Sequence, residues 1–197
     1  MTRFRHALIL AGVAFGASAL LPPAHASADT IDKFAHALFD SSGDSVGMDV
    51  DVEKIAGNTT IDVQWHDVRC ERIDTAYVCD YVWRSAFGVP VEHFSFSLTG
   101  TTTVAADLPY QELRRHCSTV DEQEECSTAP ETSGTTRIEV TWTASGEPTR
   151  SEWTDEQGVR RVVKQVDTTV SGSAFDRTYG GAPSYGVVHR VRTVDAS

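Results

Sequence analysis

Met48-Asp49-Val50-Asp51-Val52-Glu53 alternates an apolar with an acidic side chain at every step. A period of two is the pattern of a strand with one face packed and one face wet. The same beat returns along the chain. Ile61, Val63 and Trp65 alternate with Asp62, Gln64 and His66; Tyr77, Cys79, Tyr81 and Trp83 alternate with Val78, Asp80, Val82 and Arg84. Phe94, Phe96 and Leu98 follow, then Ile138, Val140 and Trp142, and residues 159–170 and 185–194 are rich in valine. Successive one-sided strands with little between them predict an all-β chain, an antiparallel β-sandwich or barrel of about eight strands. In that reading Trp65, Trp83 and Trp142 belong to the core.

Upstream of this block the pattern shifts. Asp29 or Thr30 can cap a short N-terminal helix that places Ile31, Phe34, Leu38 and Phe39 on one face, with Ser41-Ser42-Gly43 ending it. A second short helix is expected from Asp107 to Leu113, with Pro109 in its first turn.

Further upstream, Arg3 and Arg5 precede an uncharged apolar run from Ala7 to Leu21, then Pro22-Pro23 and the small-x-small triplet Ala24-His25-Ala26. These read as a signal peptide over 1–26, leaving one domain over 27–197 that is secreted, extracellular or associated with the cell wall. Cleavage removes two arginines and no acid, so the formal net charge of −11 becomes −13. With no basic patch expected, an acidic chain is a poor ligand for nucleic acid and for anionic membrane. No cofactor is expected, no membrane insertion, and a monomer. Cys70, Cys79, Cys117 and Cys126 form an even set in two identical short spacings. In an oxidising compartment this favours Cys70–Cys79 and Cys117–Cys126 as structural disulfides.

Chemistry-bearing residues are sparse. Gly43-Asp44-Ser45-Val46-Gly47 satisfies G-x-S-x-G and resembles the Gly-Asp-Ser block of GDSL-type esterases. The resemblance covers five residues and implies Ser45 as a nucleophile, the basis of an alternative reading as a secreted esterase-type hydrolase. The chain carries neither the later Gly-x-Asn-Asp block nor the Asp-x-x-His of those enzymes. Asp49, Asp51 and Glu53 share one strand face and are the candidate ligands for Ca²⁺. The histidines His36, His66, His93, His116 and His189 show no H-x-x-x-H or H-E-x-x-H spacing. Trp153 stands among polar residues, and Tyr179 and Tyr185 bracket a Gly/Pro segment, so these three aromatics are the candidate binding residues. The segment 118–125 inside the second disulfide gives another alternative, a protease inhibitor presenting that acidic loop. The leading expectation is a non-catalytic binding module for an extracellular protein or glycan.

Overall fold

The computed structural model describes residues 29–40, 45–120, 123–180 and 184–194. The expected signal peptide, 1–26, lies outside them. Twelve antiparallel strands form one sheet. In chain order they are β1 (Thr30–Asp40), β2 (Ser45–Ile55), β3 (Asn58–Ile73), β4 (Ala76–Pro90), β5 (Phe94–Ser95) and β6 (Thr101–Val120), followed by β7 (Gln123–Thr128), β8 (Thr132–Ala144), β9 (Thr149–Thr154), β10 (Arg160–Ala174), β11 (Arg177–Gly180) and β12 (Tyr185–Val194).

The sheet path runs β10-β12-β1-β2-β3-β4-β6, and β8 pairs with both β6 and β10. The sheet therefore closes on itself. Eight strands make an up-and-down barrel in chain order, while β5, β7, β9 and β11 extend its edges. Between sandwich and barrel, the barrel is what forms.

An eight-stranded ring is just wide enough to be filled by its own side chains. Here it is filled. Val166, Val188, Ala35, Val52 and Ile61 form one in-register layer, and Phe39, Met48 and Trp142 are all 1% exposed or less. Each large side chain taken fully out of water contributes roughly 1.5–3 kcal/mol. Trp142 donates its Nε1 hydrogen to the His36 carbonyl at 2.7 Å, which satisfies the one polar atom the ring brings inside. Gly186 belongs to the same tight region. A Cβ there would come within 2.4 Å of Val170 Cγ1 and 2.8 Å of the His36 carbonyl.

Two helix expectations are corrected. Residues 30–40 are strand β1, with Ala35, Ala37 and Phe39 buried in the lumen and Phe34 stacked on His189 outside. The helical spacing mixes the two faces of this strand: Ile31 shares the lumen side with Ala35 and Phe39, while Phe34 and Leu38 lie on an outer wall that is itself partly apolar, and ladders on both sides outweigh local propensity. Residues 107–113 lie within β6. Pro109 is tolerated because the β4 ladder ends at Gln111 and the β5 ladder at Val104, leaving one side of β6 without a strand partner there.

A third correction concerns β4. Its register against β3 shifts between Ile61↔Val89 and Val63↔Ala86, one extra residue on β4, beside Gly88 at φ +62°. A one-residue bulge exchanges the faces of everything beyond it. Arg84, Val82 and Asp80 therefore share the lumen side with Trp65, Asp67 and Arg69, and Trp83 faces outward opposite His66 and Leu113.

Candidate functional site

Beyond the ring, β3, β4, β6 and β7 continue as a four-stranded ribbon. Cys70, Cys79, Cys117 and Cys126 occupy one register row across it, and both expected disulfides are formed. The hairpin register alone brings each pair together, as the short spacings anticipated.

The inner face of the ribbon base is charged and matched. Glu112, 7% exposed, accepts from Arg84 Nε at 2.6 Å and from Arg114 Nε at 2.7 Å. Burial pushes its pKa up, but the hydrogen bonds from Arg114 and Arg84 outweigh that and hold it below the ordinary glutamate value. Asp67, also buried, accepts from Arg69 Nη2 at 2.9 Å and Arg177 Nη2 at 3.0 Å. The Arg84 guanidinium lies 4.5 Å from the Trp65 ring centroid and 5.1 Å from that of Phe175, a cation–π setting that closes the lumen with an aromatic floor and a polar lid. Trp65 Nε1 donates to the Tyr179 hydroxyl at 2.6 Å. Above this lid opens a pocket of about 600 Å³ that reaches from Trp65 and Arg84 to Ser127 and Ala129.

Three residues there resemble a catalytic set. Asp80, His116 and Ser127 are directly opposite one another on β4, β6 and β7, and His116 Nδ1 lies 2.8 Å from Asp80 Oδ1. Among the described residues no hydrogen bond joins Ser127 to His116. The His116 and Asp80 side chains are 54% and 65% exposed, so solvent bathes the pair. A nucleophile needs the bond to its base that is missing here.

The outer face of the ribbon is the product of the bulge. Tyr81 and Trp83 stack at 5.4 Å with an interplanar angle of 8°, flanked by Leu113 and, toward the tip, by Tyr77, both exposed. Sequence alternation identified this apolar stripe but assigned it to the core. The signal that could have placed it is Gly88, a glycine inside a strand pattern.

The sequence-predicted residues are scattered. Ser45 opens β2 opposite Val68, and β2 follows strand β1, so the motif lies between two strands and not at the strand-to-helix turn of a nucleophile elbow. Residues 41–44 lie outside the described residues. Tyr179 is 9% exposed and committed to Trp65, Phe39 and the lumen; burial raises its hydroxyl pKa against the opposing hydrogen bond from Trp65. Trp153 and Tyr185 are exposed, at 48% and 55%. They are not brought together: Trp153 sits opposite Arg161, which pairs with Thr193, while Tyr185 opens the other end of β12. Around residues 121–122, which lie outside the described residues, segment 118–125 belongs to the β6–β7 ladder, with Ser118 opposite Glu125 and Thr119 opposite Glu124.

The acidic face of β2 forms a cluster with a different third member. His36 Nδ1 lies 2.9 Å from Asp51 Oδ1 and 3.4 Å from Asp49 Oδ1, whereas Glu53 stands opposite Phe34. One nitrogen and two carboxylate oxygens suit a transition ion better than Ca²⁺, which takes six to eight oxygens. The hydrogen bond with Asp51 raises the His36 pKa against the effect of burial, with the charges of both aspartates adding to it. The expectation of no basic patch is also corrected. Cations from five strands meet at the end of the barrel away from the disulfides, an arrangement invisible in a chain where they are far apart.

Comparison with known protein families, curated proteins and solved structures finds no match to this chain. Among the described residues no helix is long and apolar enough to cross a membrane.

Proposed function

We propose that this chain is an exported, non-catalytic binding module that contacts an extracellular protein or glycan through the outer face of its disulfide-stapled ribbon. The observation that supports this reading is the outward stack of Tyr81 on Trp83 beside Leu113. Paired rings fixed on a rigid scaffold give contact area with little ordering entropy still to be lost on binding. The ribbon stands on a lumen filled by buried side chains such as Trp142, Phe39 and Met48. Export fits the two disulfides and the N-terminal pattern.

The test is capture from the culture fluid of the producing cells with oxidised protein as bait. A stoichiometric partner retained by wild type and by Trp153→Ala, but lost on Trp83→Ala and Tyr81→Ala, supports the ribbon face. Loss on Trp153→Ala or Tyr185→Ala with the ribbon variants unaffected moves the contact to those side chains. Ester hydrolysis that disappears in Ser45→Ala overturns the non-catalytic reading.

A further inference from the structure

At the barrel end away from the disulfides, five cations from five strands fall in one register row. Arg150 of β9 stands opposite Lys164 of β10, Lys164 opposite Arg190 of β12, Arg190 opposite Lys33 of β1, and Lys33 opposite Lys54 of β2. The row includes every lysine in the chain. It lies on the lumen side, two residues outward from the buried layer of Val166, Val188, Ala35 and Val52. Arg160 and Arg192 follow on the same face, and with Arg150, Lys164 and Arg190 they line a pocket of about 360 Å³ between β9, β10 and β12, with Lys33 and Lys54 continuing the row outside its lining.

Like charges placed directly opposite one another destabilise a sheet, and strands are only about 4.8 Å apart. The neighbouring acids relieve only the Arg150 end of the row. Glu152 accepts from Arg150 Nη2 at 2.5 Å and from Arg160 Nε at 2.6 Å, and Asp29 is taken by Arg192. Among the described residues no carboxylate is within ion-pair distance of Lys33, Lys54, Lys164 or Arg190; Lys33 is held instead over the Phe96 ring at 5.2 Å. In a chain of formal charge −11, this concentration of cations is local and stands against the protein's overall field.

We propose that this row is a binding site for a small soluble oligophosphate, separate from the ribbon face and independent of what that face binds. Several cations around one small pocket call for an anion with several charges in little volume. Arginine forks match phosphoryl oxygens two at a time, and lysines add point charges. The concave, lumen-side placement suits a compact ligand entering the mouth and disfavours a flat anionic bilayer.

Calorimetric titration of the oxidised protein with tripolyphosphate, pyrophosphate and orthophosphate at fixed ionic strength tests the site. One tripolyphosphate per chain is expected, held at least about tenfold more tightly than orthophosphate. Lys164→Gln and Arg190→Gln should each weaken it by roughly tenfold, while Arg115→Gln at the other end leaves it unchanged. Both row variants should also melt higher than wild type without ligand, because a repulsion is removed; this shows that they fold. No saturable tripolyphosphate binding, or equal losses in Arg115→Gln, overturns the proposal. So does sedimentation with phosphatidylglycerol vesicles without binding of free tripolyphosphate, or displacement of tripolyphosphate by a poly-glutamate peptide at lower concentration. Loss of the ribbon-face partner in the Trp83→Ala experiment leaves this titration unaffected, so the two readings fail separately.

Discussion

The two ends of the barrel treat charge in opposite ways. At the stapled end, buried Glu112 and Asp67 each receive two arginines within hydrogen-bond distance. At the other end, Lys164, Arg190, Lys33 and Lys54 face one another across the ladders. Matched charges at a barrel mouth are a structural device, since each buried ion is neutralised where it sits. Opposed like charges weaken the fold, and a feature that weakens the fold points toward a ligand that compensates for it.

Breaking the matched end should have the largest effect. Glu112→Ala leaves Arg84 without its carboxylate in a largely buried setting, and a loss of about 3 kcal/mol is expected in urea denaturation. Replacing both partners, as Arg84→Met with Glu112→Leu, should recover most of that, because the desolvation cost disappears with the charges. Acid should mimic the single variant. The Glu112 pKa is lowered in the folded state, so its stabilisation is present above the ordinary glutamate value and lost as pH falls through the depressed one.

Removing the staple comes next. Cys70→Ser with Cys79→Ser should cost roughly 2–3 kcal/mol by the chain-entropy argument, measured in the same denaturation series. Peptide mass mapping that instead joined Cys79 to Cys117, which are also in register, would break the assigned pairing.

The basic end should respond with the opposite sign. Arg190→Gln is expected to stabilise the unliganded protein by roughly 0.5 kcal/mol, and the gain should shrink in high salt as the repulsion is screened. A loss of stability there would erase the contrast between the ends.

The smallest effects lie on the wall between them. His36 is raised by its hydrogen bond to Asp51, so its contribution is full below the unfolded value and lost as pH rises through the raised folded one. His189 is lowered by burial, so its contribution is present above the unfolded value and lost as pH falls through the lowered one. Melting curves of His36→Gln and His189→Gln across the neutral range should separate these opposing slopes, His36→Gln flattening the alkaline side and His189→Gln the acidic side.

Much of the fold was legible because period-two alternation reports directly on which side of a strand is wet. Met48 to Glu53 and Ile61 to His66 lie in the barrel wall as their patterns require. Residues 30–40 were misleading because Ala35 and Ala37, small enough to fit the crowded lumen, carry little weight in an apolar count, while Phe34 and Leu38 outside carry much. The site was less legible. Trp83 and Tyr81 looked like core because alternation fixes which side chains share a face but not which face is inside. The row from Arg150 to Lys54 spans most of the chain and exists only once the ladders are formed.

By itself, the sequence determined most of the strands and the alternation along them and favoured the disulfide pairing that forms, since each depends on residues close together along the chain. Closure of the ring, the exchange of faces at the β4 bulge and the gathering of the cations were decided by tertiary structure alone. Each depends on register between strands distant in sequence, and a shift of one residue reverses every side chain that follows it.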